Sequence, residues 1–346
     1  MDGARELVAT WFRWQAGWCA ALGSPLYDEL LTRAADDVAE GGPVWDVVAG
    51  MENDPPDSAP ALRFMGAVHR LVLEGRAPDL AARYPSAGGH LDVATTWPLF
   101  RDTVVAHPDE LRASTRRPVQ TNEVARAGAL VGGFLTVATE TGLPLRTLEC
   151  GASAGFLMNW DRYRYEARGA TWGPAESPVR LCDYNSERPL PFDVNAEVVD
   201  RSGCDTAPVD ATEPEGRVTL LSYVWPDQAG RVRQLRGALE VAAKFPPRVE
   251  RASAVEWLGQ QKLLPGTATV LYHSIFFQYL SPDDRARFTA TIEALGDRAT
   301  NDAPFAWLRF EPGGDDAHTR LKLWPGGEDR LVAASGYHGT AVRWLA

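Results

Sequence analysis

A chain of 346 residues with 45% hydrophobic content is long enough to bury a large core and to form one big domain or two. Its formal net charge of −11 disfavours nucleic-acid binding, which rests on Lys and Arg contacts to phosphate, and its charged beginning and lack of a long apolar run argue against an export signal or membrane span. Four cysteines (Cys19, Cys150, Cys182, Cys204) show no CxxC spacing and read as reduced thiols of a cytoplasmic protein.

Residues 1–140 read as an N-terminal helical domain. Leu7, Trp11, Trp14 and Trp18 share one helical stripe, which predicts a buried face. Further helices are expected over 26–40, 59–75 and 100–114, punctuated by Gly41-Gly42-Pro43, Asp54-Pro55-Pro56 and the turn-rich 84–89. No strand is expected before Leu145. Residues 118–123 open the last helix of this region, and Thr121 or Asn122 can cap it. The functional reading of the same stretch places Asn122 and Glu123 over the loop that follows, facing a ligand.

Residues 145–165, LRTLECGASAGFLMNWDRYRY, organise the rest of the chain. A short apolar strand ends in Gly151-Ala-Ser-Ala-Gly155, and Phe156, Trp160 and Tyr163 follow at helical offsets. Gly151 and Gly155 permit a sharp reversal and a close backbone approach by a ligand, and Glu149 sits near the strand's carboxyl end, where open α/β sheets bind ligands. Three readings fit the pentapeptide. Glu-x-Gly-x-x-x-Gly is the nucleotide loop of a class I methyltransferase, with S-adenosylmethionine as cofactor. Gly-x-Ser-x-Gly is a nucleophile elbow with Ser153 as nucleophile. The third reading is a strand-to-helix turn whose glycines serve packing only.

Residues 169–216 form a long polar insertion with short strand-like pieces at 179–182 and 196–200. Its carboxylates, Asp183, Asp193, Asp200, Asp205 and Asp210, read as solvated, and no His or Cys spacing supports a metal site. Residues 217–223 (RVTLLSY) read as a buried strand, followed by a helix over 230–244, a possible third strand at 247–252 and a strong strand at 269–272. Ser281-Pro-Asp-Asp starts a helix, 305–310 is another strand, and 320–324 with 330–334 form a hairpin around Pro-Gly-Gly. A last strand is expected over 340–345. The alternation predicts an α/β domain over 141–346, with a mostly parallel Rossmann-like sheet and an antiparallel end.

The order of elements favours the nucleotide loop, because a nucleophile elbow follows several strands whereas this loop follows helices. Counted that way, Asp227 after the second strand takes the ribose hydroxyls, and Ser253 or Glu256 approaches adenine. The fourth strand brings His273, Ser274 and Gln278 to the reacting methyl, with His273 as the candidate base. Tyr163, Tyr165, Tyr223 and Trp225 are candidates to line the pocket of a small-molecule acceptor. The alternatives are a serine hydrolase using Ser153 and a noncatalytic nucleotide-fold binding protein.

Five stretches, QTNEVARAGAL, LECGASAGFLMNWDRYRY, LLSYVWPDQ, WPGGEDRL and GYHG, together resemble a bacterial family catalogued as domain of unknown function 2332, over almost the whole chain. That resemblance implies no reaction. Residues 145–346 also resemble class I S-adenosylmethionine-dependent methyltransferases, and this carries over Glu149, Gly151 and Gly155 as loop residues. Ser153 stands where that loop commonly has its middle glycine, and about fifty residues separate the loop from the expected second strand.

Overall fold

The computed structural model describes residues 2–55 and 58–346, so Pro56 of the Asp54-Pro55-Pro56 break lies outside the described residues. The chain runs α1 (Asp2–Ala21), α2 (Pro25–Glu40), α3 (Pro43–Val48), α4 (Pro60–Leu73), α5 (Pro78–Ala81), α6 (Val93–Ala106), α7 (Pro108–Ser114) and α8 (Arg126–Thr141). Next come β1 (Leu145–Cys150), β2 (Arg164–Ala167), β3 (Ala170–Trp172), β4 (Arg180–Leu181), β5 (Val198–Asp205), α9 (Pro214–Ser222) and α10 (Ala229–Lys244). The remainder is β6 (Val249–Arg251), α11 (Ala254–Gly259), β7 (Ala268–Ser274), α12 (Pro282–Gly296), β8 (Phe305–Pro312), β9 (Ala317–Trp324), β10 (Glu328–Ser335) and β11 (Arg343–Trp344). Two compact units result: one from residues up to Thr121 together with Glu213–Arg233, the other from Asn122–Thr212 together with Gln234–Ala346. Among the described residues, no helix is long and apolar enough to cross a membrane.

In the helical unit, α1 buries Val8, Phe12, Ala16 and Cys19, with Phe12 against Phe64 of α4 at 5.7 Å between ring centroids. The stripe expected to be buried is the other one: Trp14 and Trp18 are 65% and 45% exposed, and Leu7 is exposed too. Both faces of α1 are apolar, and the one with smaller side chains lets the neighbouring helices approach closely. The segment 217–223 is a second correction. It is helix α9, not a strand. Pro214 and Glu215 in the first turn give a helix start, and the packed partners override the β-branched composition. Gly66 of α4 lies where a Cβ would stand 2.6 Å from the Tyr223 ring. The buried His69 binds the Ser222 carbonyl through Nδ1 at 3.1 Å and Ser86 Oγ through Nε2 at 2.7 Å. Arg70 reaches Thr219 at 3.1 Å and also pairs with Glu215.

The sheet unit carries an eight-stranded sheet in the order β11-β10-β9-β8-β7-β1-β5-β6, and β2, β3 and β4 form a separate small sheet. The run β6-β5-β1-β7-β8 is parallel, and β9, β10 and β11 end it in antiparallel pairs. This is the mostly parallel α/β sheet with an antiparallel end that the alternation predicted. One strand of the large sheet lies in the expected insertion, where the strand-like piece at 196–200 marks its start. β5, with Arg201, Ser202 and Gly203 at its centre, pairs with β1 from Val198 to Cys204. Its polar side chains have specific partners instead of a core: Asp200 meets Arg146 at 3.1 Å, and Arg201 makes a two-point contact with Asp161 at 2.7 and 3.0 Å. Helix α8 covers one face, where Phe134 stands edge-on to Tyr272 of β7 at 5.0 Å. On the other face Leu148, Cys150, Leu271 and Trp307 pack with Leu258 of α11 and with Phe288 and Ile292 of α12.

Candidate functional site

Strand β1 sits between β5 and β7, and the next strand along is β6 on one side and β8 on the other. The connections therefore reverse direction at β1, and the carboxyl ends there are where an open α/β sheet binds its ligand. The loop at that point takes the left-handed region three times, at Gly151 (φ 70°), Ser153 (φ 51°) and Gly155 (φ 72°). Two glycines adopt it freely, while Ser153 is held there. Asp205, the last residue of β5, does the holding. Its Oδ2 accepts from Ser153 N–H at 2.9 Å and its Oδ1 from Ala207 N–H at 2.8 Å. The Gly151 and Ala152 amides donate to the Cys204 carbonyl at 2.9 and 3.1 Å.

Asn122 clamps the loop from outside. Its Oδ1 accepts from Phe156 N–H at 2.8 Å and its Nδ2 donates to the Ala152 carbonyl at 3.2 Å. It does not cap α8, whose N-cap is Ala125 with no side-chain bond. Glu123 is buried just before that helix. The expected helix after the loop is a short 3-10 segment, Phe156–Arg162, irregular at Asn159, so it offers no strong helix dipole. Both glycines are also required by packing: a Cβ on Gly151 would lie 2.5 Å from the Phe276 ring, and one on Gly155 would lie 2.5 Å from Pro247 Cβ.

Glu149 is 1% exposed, and Tyr272 O–H donates to its Oε2 at 2.9 Å. Burial pushes its carboxyl well above the ordinary value of 4.5; the Tyr272 bond pulls it down, and the nearby Asp205 charge pushes it up again. At the end of β7, His273 has no exposed surface, and both its ring nitrogens are engaged. Trp307 Nε1–H donates to Nε2 at 2.9 Å, and Nδ1 faces Glu311 Oε1 at 2.6 Å. An indole N–H only donates, so Nε2 is the acceptor and Nδ1 carries the proton toward Glu311. His273 is thus a linker between Trp307 and Glu311, with neither nitrogen left for a substrate proton. Ser274 is half-buried at the strand's last position, and Gln278 is exposed beyond it.

Other expected site residues fall elsewhere. Asp227 belongs to the helical unit, where its Oδ1 accepts from Ser24 O–H at 2.6 Å and its Oδ2 from Leu26 N–H at 3.0 Å. It anchors the start of α2 and does not follow a sheet strand. Asp205 holds the place assigned to it. The spacing error came from reading 217–223 as the second strand. Trp225 packs on Tyr27 in the helical core, and Tyr223 belongs to that unit too. Tyr163 and Tyr165 are buried, donating to the Phe156 and Trp160 carbonyls at 2.6 and 2.7 Å, so they are structural. Ser253 precedes α11, and Glu256 lies exposed on it. Glu311 had no sequence signal beyond its place at the end of an apolar strand.

No curated protein and no solved structure matches the chain. A family model does match, over residues 9–344, and it is described as "Uncharacterized protein conserved in bacteria (DUF2332)". The match spans both units and takes in the glycine-rich loop, Asp205, His273 and Glu311. The chain belongs to this bacterial DUF2332 family.

Proposed function

We propose that the sheet unit binds S-adenosylmethionine at the carboxyl ends of β1 and β5 and transfers its methyl group to a small-molecule acceptor. The observation that carries this reading is the loop–carboxylate pair at the reversal point: a three-fold left-handed loop after β1, with Asp205 ending the adjacent strand. The donor set suits the cofactor. Asp205 spends two hydrogen-bond positions on backbone amides and keeps lone pairs for ribose hydroxyls. Glu149 lies beside it as a second acid. The cofactor supplies a methyl group on a sulfonium. The chain's part is to orient donor and acceptor and exclude water, and orientation alone accounts for much of such a rate.

Calorimetric titration with S-adenosylhomocysteine tests this. Wild-type protein is expected to give saturable heat, and Asp205→Asn to weaken binding by about tenfold through loss of a charge-assisted bond. No heat at millimolar ligand overturns the reading. The hydrolase alternative has one feature in its favour, the left-handed Ser153, because a nucleophile elbow is strained in this way. It lacks a long helix after the elbow, and His273 is committed to Trp307 and Glu311. A fluorophosphonate probe should therefore leave Ser153 unlabelled.

A further inference from the structure

Past the end of β7 the chain makes a short strap over 275–280, pinned at two places. Phe276 lays its ring against Gly151 of the loop. The Phe276 and Phe277 amides donate to Glu311 Oε1 at 3.0 and 3.2 Å, on the same oxygen that faces His273 at 2.6 Å. Oε1 is thus surrounded by three donors. The second oxygen, Oε2, is buried and has no hydrogen-bond partner in the protein. A buried carboxylate oxygen without a donor is costly. Burial alone would raise the Glu311 carboxyl, yet the bonds from His273 and the two amides hold it below the ordinary value, so it stays ionised at neutral pH. His273, which bonds that carboxylate, stands among Phe276, Phe277, Phe288 and Trp307, with their rings in contact. The environment is one negative charge with a buried, unpartnered oxygen, next to an aromatic cluster. Ile275, a β-branched residue at φ 48°, stores strain at the start of the strap, and Tyr279 near its end is 65% exposed.

We infer that Glu311 Oε2 is the anchor for the methyl acceptor, and that the acceptor is a small molecule bearing an ammonium group on an aromatic or apolar body. The inference rests on the methyltransferase reading for the word acceptor alone; the ammonium site itself stands on the geometry of Glu311. His273 and Trp307 are positioning residues that keep Oε1 occupied and turn Oε2 toward the ligand. An ammonium supplies the missing donor and cancels the buried charge, and the aromatic faces favour a cation beside an apolar body.

Benzylamine is the probe, with benzyl alcohol as its uncharged counterpart, each titrated into full-length protein with and without S-adenosylhomocysteine. Wild-type protein is expected to bind benzylamine and to give no heat with benzyl alcohol. Glu311→Gln should weaken benzylamine by about tenfold or more while leaving S-adenosylhomocysteine binding unchanged. Equal binding of amine and alcohol, or an unaltered benzylamine affinity in Glu311→Gln, overturns the inference. Crystals soaked in benzylamine give a readout that needs no variant: its nitrogen should lie at hydrogen-bond distance from Oε2, and a water molecule alone at that oxygen refutes the proposal. Absence of S-adenosylhomocysteine heat with benzylamine still bound at Glu311 would sink the cofactor reading and leave the ammonium site standing.

Discussion

A carboxyl as deeply buried as Glu149 behaves differently from one on the surface. Its folded-state value lies well above 4.5, while in the unfolded chain it titrates near 4.5. Between those values the folded protein holds a proton that the unfolded chain has released, so raising the pH through this window lowers stability. Below about 4.5 both states are protonated and the cost disappears. Glu149→Gln keeps an acceptor for the Tyr272 hydroxyl and never ionises. Its stability relative to wild type should therefore improve as pH rises from 5 to 8, by about 1–3 kcal/mol in urea unfolding. Parallel pH curves for the two proteins would mean that Glu149 is not held neutral.

At the scale of elements, α9 is the piece that joins distant parts of the chain, and His69 and Arg70 fasten it to α4. Burial lowers His69 from 6.5 to about 4, although its backbone bonds favour the charged form. Here the unfolded chain binds more protons than the folded one between pH 6.5 and 4, so stability falls as the solution is acidified through that range. The loss should reach about 3 kcal/mol and be flattened in His69→Gln; equal acid sensitivity in both proteins would contradict it. Asp227, in the loop after α9, makes a second test within the same unit. Its removal in Asp227→Ala strips the start of α2 of an acceptor and should cost about 1–2 kcal/mol while leaving the S-adenosylhomocysteine isotherm unchanged. A weakened isotherm with normal stability would return Asp227 to the cofactor. Apolar runs that end at glycines or prolines were legible from sequence, which is why β1, β7, β8 and the β9–β10 hairpin were expected where they stand. β5 was legible only as the short piece at 196–200 and not over its full length, because Arg201 within it is satisfied by Asp161, a partner that no local pattern reveals. α9 was misread for the converse reason: its VTLLS run has strand composition, and the Pro214-Glu215 start together with packing on α4 selects the helix.

Across the whole molecule, chain order and compact units do not coincide. The helical unit borrows Glu213–Arg233 from between β5 and β6, and the sheet unit begins at Asn122, taking α8 with it. The sequence places a boundary near residue 140 because every element up to there is helical; composition cannot tell which of those helices packs on a sheet. Helix α8 does. Phe134 stacks on Trp160 at 4.3 Å, Gly132 lies where a Cβ would stand 2.4 Å from Trp344, and Gly133 lies equally close to Leu308. A fragment of residues 141–346 loses this cover from one sheet face, and it also carries α9 without α4, so His69 and Arg70 no longer meet Ser222, Thr219 and Glu215. Two apolar surfaces are uncovered at once. The fragment should bind the dye ANS strongly and melt without a sharp transition. A fragment of residues 122–346 regains α8 but not α4. It should show restored near-ultraviolet dichroism from Trp160 and Trp344 and weaker dye binding than 141–346. A cooperative melt for 141–346 would mean that neither α8 nor the α4–α9 contacts are needed to hold the sheet together.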